Sequence, residues 1–292
     1  MDVLRPESLE EALALKAARP GAVPIAGGTD VMVELGQGLR RPEAMIDLSH
    51  LSELREWRRE RGRLFVGAGV TYARIVAELP EVVPLVQASH TVGSPQIRAR
   101  GTIGGNLGTA SPAGDALPVL AAYDAEVMLA SPSGTRALPL GEFLIGPKRT
   151  TLRDDELVLG ACWPLRRHVG SFSKVGTRNA MVIAVASLAL VLDEEAREVR
   201  VALGSVGPTV LRAWDAEAFA AAALGEAGGW DDGAARLPAA TVAEFGRLVA
   251  SAARPIDDLR GSADYRREAC RVLASRALGW LMAERAPLAT AA

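Results

Sequence analysis

The sequence is short of the residues that hold metals. Only Cys162 and Cys270 occur as cysteines, and only His50, His90 and His168 as histidines, among 292 residues. None of them clusters at metal-ligand spacing, which argues against a zinc site or an iron–sulfur centre within the chain. Cys162, followed by Trp163 and Pro164, reads as a small buried apolar residue rather than a nucleophile. Charge bias is absent as well: a formal net charge of -2 and a pI near 6.0 offer nothing to nucleic acid or to an anionic membrane. No basic start leads into an apolar signal core, and no apolar run is long enough to span a bilayer. The longest, Ala180 to Leu192, suits a buried strand or core helix. These absences lead to the expectation of a cytoplasmic protein without membrane insertion. Internal repeats and low-complexity segments are missing, and so are the three-glycine dinucleotide fingerprint and the phosphate loop ending in Gly-Lys-Ser/Thr.

What the sequence does have is two stretches of small polar residues. Thr102-Ile103-Gly104-Gly105-Asn106-Leu107-Gly108-Thr109-Ala110-Ser111-Pro112-Ala113-Gly114-Asp115 holds little that can build a core, so its value is expected in exposed backbone and short polar groups. Glycines admit close approach and positive φ, so amides near Gly104 and Gly105 are expected to converge on an anion, with Thr102, Asn106, Thr109 and Ser111 adding neutral hydrogen bonds. Phosphate fits such a cradle. Pro24-Ile25-Ala26-Gly27-Gly28-Thr29-Asp30 has the same character, and the pair suggests one diphosphate gripped from two sides. A Gly-Gly pair alone also reads as a plain turn.

Along the chain, Ser8 and Glu11 form a capping box for a helix with Leu9, Ala12, Leu13 and Ala17 at helical spacing, ended by Arg19-Pro20-Gly21. Strands at Val23 to Ala26 and Ala44 to Leu48 complete a small β-α-β unit, with the first glycine loop at a strand end. The charged Glu53 to Arg63 segment, an Arg61-Gly62 turn and Leu64 to Ala68 read as a hairpin. Thr71 caps a helix to Leu79, Val82 to Ala88 is helical, and Leu117 to Ala122 makes a further helical turn. Ala125 to Ala130 reads as a strand before the Ser131 to Gly134 turn. Gly146-Pro147-Lys148-Arg149-Thr150 is either a solvated basic loop or a pair of cations beside an anion site. A domain boundary is expected between Pro164 and Gly170; Val199 to Val206 follows as a strand. Helices over Ala213 to Leu224, Ala239 to Ala253 and Tyr265 to Arg285 come last, the final one with Val272, Leu273, Arg276 and Trp280 along its core edge.

Ala26 to Asp30, Thr102 to Asp115, and Asp257-Asp258-Leu259-Arg260-Gly261-Ser262-Ala263-Asp264-Tyr265-Arg266, in that order, resemble the FAD-binding medium subunit of the molybdenum hydroxylases, the group containing xanthine dehydrogenase and carbon monoxide dehydrogenase. The resemblance covers essentially the whole chain. Gln96 to Gly101 and Lys174 to Ala184 look most like bacterial xanthine dehydrogenase subunits. The resemblance implies an α+β architecture: two α/β subdomains of the PCMH-type FAD-binding fold (residues 1–52 and 53–168), then an α+β C-terminal domain (169–286) with a small antiparallel sheet and a helix bundle.

Carried over by position, Ala26, Gly27, Gly28, Thr29 and Asp30 would line the pyrophosphate, with Thr102, Gly105, Asn106 and Thr109 closing from the second stretch. Asp115 would bond the ribose or adenine end, and Lys148 or Arg149 would lie near the flavin. Relatives of the broader fold that attach FAD covalently use a histidine in the first loop, where this chain has none, so noncovalent FAD is implied; Val92 stands where some members place an aromatic under the adenine. The implied scheme is an electron relay in an oxidoreductase. A molybdopterin-binding large subunit oxidises the substrate, [2Fe-2S] clusters in a small subunit carry the electrons, and FAD held here delivers them to NAD+ or oxygen, in a dimer of heterotrimers. No catalytic acid or base from this chain is required. Xanthine dehydrogenase is the favoured type, with carbon monoxide, aldehyde or N-heterocycle dehydrogenases as alternatives. A self-contained flavin oxidase and a noncatalytic nucleotide-binding module are the readings from other classes.

Overall fold

The computed structural model describes residues 1–233 and 235–285. The N-terminal elements are β1 (Asp2–Leu4), α1 (Leu9–Ala18), β2 (Val23–Ile25), α2 (Val31–Gly36), β3 (Ala44–Asp47), β4 (Trp57–Glu60) and β5 (Arg63–Gly67). Five helices follow: α3 (Tyr72–Glu78), α4 (Val83–Thr91), α5 (Pro95–Arg100), α6 (Ile103–Thr109) and α7 (Ala116–Ala122). Next are β6 (Glu126–Ser131), β7 (Gly134–Pro139), α8 (Leu140–Phe143), β8 (Leu144–Gly146), β9 (Arg149–Thr150) and β10 (Leu157–Pro164). The remainder is β11 (His168–Val175), β12 (Ala186–Asp193), β13 (Glu198–Gly204), β14 (Leu211–Arg212), α9 (Trp214–Glu226), α10 (Ala239–Ala252) and α11 (Ala263–Arg285). Among the described residues no helix is long and apolar enough to cross a membrane.

The chain divides into two compact units. The first comprises residues 1–80, 92–111 and 124–165. It holds a parallel sheet of order β1-β3-β2 and an antiparallel sheet of order β4-β5-β10-β6-β7. Local chemistry sets several of its elements. Ser8 caps α1 by accepting from the Glu11 amide at 3.1 Å, and the Glu11 carboxylate accepts from the Glu7 amide at 2.7 Å. The β4–β5 hairpin pairs Glu60 with Arg63 across Arg61 and Gly62, whose φ values of 51° and 71° give the left-handed two-residue turn that matches strand twist. Cys162 lies half-buried on β10, the central strand, rather than in the core.

The stretch beginning at Thr102 departs from expectation: half of it, Ile103 to Thr109, is the helix α6. Three glycines weaken a helix locally, but Ile103 and Leu107 stand one turn apart and both are fully buried. Tertiary burial outweighs the local propensity.

The second unit comprises residues 81–91, 112–123 and everything described from 166 onward. Its antiparallel sheet runs β11-β12-β13-β14. All eight residues of β12 are buried, because α11 packs on this sheet and α7 also packs on β12 and β13; the apolar run from Ala180 shows no alternation for that reason. The last segment of the first unit ends at Leu165, inside the boundary expected between Pro164 and Gly170, in the short join between β10 and β11. In α11 the buried face is Ala269, Cys270, Leu273, Ala274, Ala277, Leu278, Leu281 and Met282. Arg276 and Trp280 face solvent, so the core edge expected through them is displaced around the helix.

Candidate functional site

Both glycine stretches fall in the first unit up to Ser111. β2 runs parallel to β3 and ends at Ile25, and Ala26 to Asp30 form the turn into α2. This is the carboxyl end of a parallel strand, where α/β folds place ligands. A side chain at Gly27 would set its Cβ 2.0 Å from the carbonyl oxygen of Arg100, and Gly28 has φ +75°. Both positions therefore require glycine, one for approach and one for conformation. Among the described residues, no group accepts from the amides of Gly27, Gly28 or Thr29. Asp30 makes no cap bond to α2; its Oδ2 accepts instead from Thr109 Oγ1 at 3.1 Å.

The second stretch works differently from the sequence-based expectation. The amides around Gly104 and Gly105 are already used: Ile103 donates to the Val70 carbonyl at 3.1 Å, Gly104 to Ala68 at 2.9 Å and Asn106 to Thr102 at 3.1 Å. Gly105 donates to Thr102 Oγ1 at 3.0 Å, so Thr102 is the N-cap of α6. The first two tie the start of α6 to Val70 and Ala68 and the other two close its first turn, so none converges on an anion. What α6 offers is an open surface. Gly104 is packed, since a Cβ there would sit 2.4 Å from that of Ala68; a Cβ at Gly105 would meet only Thr102 Oγ1 at 3.2 Å, and one at Gly108 would meet nothing within 4 Å. Two helical glycines without a packing reason leave room for something to lie against the helix. Beside them, Asn106 Oδ1 is buried with no hydrogen-bond partner among the described residues. Gly108 was not singled out in the sequence, where nothing separates a glycine facing open space from one facing a neighbour.

Lys148 and Arg149 lie on the β8–β9 hairpin. The Lys148 amide donates to the Ala110 carbonyl at 3.0 Å, and its Nζ lies 2.6 Å from Glu34 Oε1 on α2. That hydrogen bond, with the charges of Arg40 and Lys148 and against desolvation, holds the Glu34 carboxyl below its ordinary range. Arg149 is exposed. The first unit thus brings together the turn from Ala26 to Asp30, the open side of α6 and the hairpin cation.

Asp115 belongs to the second unit and is described there. It precedes α7, and its Oδ2 accepts from Lys174 Nζ at 2.6 Å and from Thr91 Oγ1 at 3.2 Å. Burial pushes the carboxyl up while Lys174 pulls it back; Oδ1 is buried without a partner among the described residues. Lys174 as its counter-ion was not legible from sequence, because the two residues are far apart in the chain and neither lies in a recognisable spacing.

The first unit offers unspent backbone amides as donors, hydroxyls, one orphaned amide oxygen as an acceptor, and two glycines that keep a surface clear. This set fits a diphosphate-bearing nucleotide cofactor held by backbone and neutral groups. Known proteins agree. Residues 1–165 match the family described as FAD binding domain in molybdopterin dehydrogenase, and residues 171–281 match the CO dehydrogenase flavoprotein C-terminal domain. The chain is 31% identical over 280 residues to the glyceraldehyde dehydrogenase medium chain of Sulfolobus acidocaldarius, covering 94% of this chain and 95% of that one. It is 32% identical over 223 residues to the xanthine dehydrogenase FAD-binding subunit of Escherichia coli O157:H7, covering 73% and 76%. Among solved structures, a chain of the carbon monoxide dehydrogenase of Hydrogenophaga pseudoflava superposes with a TM-score of 0.85 at 26% identity over 98% of each chain. The protein belongs to the FAD-binding medium subunits of the molybdenum hydroxylases.

Proposed function

We propose that this chain is the FAD-holding electron-transfer subunit of a cytoplasmic three-subunit complex of the xanthine dehydrogenase type. Its partners are a molybdopterin-binding large subunit and a [2Fe-2S] small subunit, assembled as a dimer of heterotrimers, and its terminal acceptor is NAD+ or oxygen. The observation that carries this reading is the character of the site in the first unit: the amides of Gly27, Gly28 and Thr29 are unspent, the groups around them are glycines, hydroxyls and Asn106, and the nearby carboxylates of Asp30 and Glu34 are engaged by Thr109 and Lys148. Such a site binds and orients without supplying a general base.

In this reading the Gly27 to Thr29 amides take the diphosphate, Asn106 and Thr109 add hydrogen bonds from α6, and Gly105 and Gly108 let the cofactor lie close. Thr102 acts indirectly, by capping the helix that presents them. When bound, FAD supplies an acceptor and donor of one or two electrons, and the protein supplies its position. Attachment is noncovalent, since the first loop contains no histidine.

An aldehyde-oxidising complex is the second reading. It is favoured by the glyceraldehyde dehydrogenase relative, which matches over more of the chain than the xanthine dehydrogenase relative does. Co-expression of the three subunits followed by anaerobic addition of xanthine, hypoxanthine or glyceraldehyde tests both. Loss of the flavin's visible absorbance in the complex, and not in the isolated chain, is expected with a purine. Loss with glyceraldehyde alone selects the second reading, and loss in the isolated chain would overturn the relay in favour of a self-contained oxidase.

A further inference from the structure

The helix that carries the first glycine loop buries none of its side chains fully and is tied down by polar contacts. None of the six residues of α2 is buried, and Met32 and Val33 are each 54% exposed. A helix this short has no stability of its own, and it contributes nothing to the apolar core formed by α1, β3 and their neighbours. What fixes it is a pair of carboxylates one helical turn apart, and so on one face. Asp30 Oδ2 accepts from Thr109 Oγ1 at 3.1 Å. Glu34 Oε1 accepts from Lys148 Nζ at 2.6 Å, and its Oε2 lies 3.3 Å from Arg40 Nε. The two partners across from α2 are themselves joined, because the Lys148 amide donates to the carbonyl of Ala110, the residue after Thr109. Lys148 adopts φ 55° and Ala110 φ 48°, left-handed conformations that non-glycine residues adopt only when the surroundings hold them there. The Glu34 side chain is 15% exposed and that of Lys148 is 58% exposed, so water and salt reach the pair from the lysine side.

We propose that the Glu34–Lys148 ion pair, together with the Asp30–Thr109 hydrogen bond, is a latch that keeps the Gly27 to Asp30 loop closed on the cofactor and sets how long FAD stays bound. Glu34 and Lys148 are positioning residues: they act through the loop and not by touching FAD. The proposal rests on the reading that the Gly27 to Thr29 amides hold the diphosphate. It gives Lys148 a different task from that of a free cation beside the flavin ring. Because one partner is exposed, the latch weakens as ionic strength rises.

The test is FAD release from the full-length chain, followed by the rise in free-flavin fluorescence after large dilution into flavin-free buffer. Glu34→Gln and Lys148→Met are each expected to release FAD about fivefold faster than the unaltered chain, the effect of losing an ion pair worth up to about 1 kcal/mol. Lys148→Arg keeps the slow rate. Glu78→Gln, which removes a comparably exposed pair with Arg74 elsewhere in the first unit, leaves the rate unchanged. Added sodium chloride speeds release from the unaltered chain but not from Glu34→Gln. Thermal unfolding of the FAD-free Glu34→Gln and Lys148→Met variants falls no further than that of Glu78→Gln, which separates a latch from a general stabilising role. Unchanged release from Glu34→Gln and Lys148→Met, with FAD bound stoichiometrically, would overturn the latch alone. An unaltered chain that takes up no FAD would overturn the cradle and the latch with it.

Discussion

Replacing Gly108 with alanine is expected to stabilise the FAD-free protein and to weaken its hold on FAD. The residue lies in α6 one position before its end, has no left-handed φ, and an added Cβ meets nothing within 4 Å. Glycine in a helix interior costs ~0.8–1.0 kcal/mol relative to alanine, and near the end of the helix about half of that is the floor. For a protein of this size each kcal/mol moves the Tm by about 2–4 °C, so the FAD-free variant should melt about 1–4 °C higher. On the proposed placement of FAD against α6, the methyl group would occupy the space the cofactor needs. Forcing an extra methylene-sized group into a fitted contact costs about 1–3 kcal/mol, a roughly five- to hundredfold rise in the Kd for FAD. Calorimetry of the FAD-free protein measures the first effect, and titration with FAD by fluorescence quenching measures the second. An unchanged Kd would show that the open side of α6 does not face the cofactor. A lower Tm would show that the glycine is structurally required after all. Gly105→Val should also weaken FAD binding, but its Cβ meets the Thr102 hydroxyl that caps the helix, so a loss there mixes two causes.

Three further outcomes are expected. Acid precipitation should leave the FAD in the supernatant, and flavin retained in the pellet would contradict noncovalent attachment. Gly27→Ala should destabilise the FAD-free protein by about 1–3 kcal/mol in urea unfolding, since its Cβ has to move away from the Arg100 carbonyl, and should release FAD as well; unaltered stability would mean that the loop has slack. Lys174→Met leaves the Asp115 carboxylate buried without its counter-ion and should cost about 3–5 kcal/mol at neutral pH. Burial already raises the Asp115 pKa above its ordinary value of 3.8, and loss of the lysine raises it further. A raised carboxyl favours the folded state when protonated, so the variant's deficit should shrink as pH falls through the raised pKa and be smallest below 3.8. A deficit that stayed constant with pH would show that Lys174 acts by packing rather than charge.

The elements set by local chemistry were legible in the sequence: the Ser8 capping box, the Arg61-Gly62 turn and the Thr71 cap each depend on residues within a few positions of one another. The special character of the two glycine stretches was legible, but the different use each makes of its amides was not. Composition alone cannot tell that the amides of Gly104 and Gly105 meet Ala68 and Thr102 while those of Gly27 to Thr29 stay unspent. For the same reason α6 reads as a loop until Ile103 and Leu107 are seen to be buried. The face of α11 was misjudged because Arg276 and Trp280 share helical spacing with core residues, and only the packed sheet shows which stripe it covers. The ion pairs Glu34–Lys148 and Asp115–Lys174 join distant parts of the chain, and no spacing announces such pairs.

The second unit takes α4 and α7 from the middle of the region that matches the FAD-binding family, and both helices bury apolar side chains, among them Leu85, Leu117, Val119 and Leu120. During synthesis these helices leave the ribosome well before β11, β12 and β13, against which they pack. A nascent chain of some 165 residues, complete by family boundaries, therefore presents two greasy helices with no sheet to cover them. Its amino-terminal half depends on the carboxyl-terminal half to finish folding, and a chaperone that shields α4 and α7 until residue 204 has emerged would act at the step where aggregation competes most strongly.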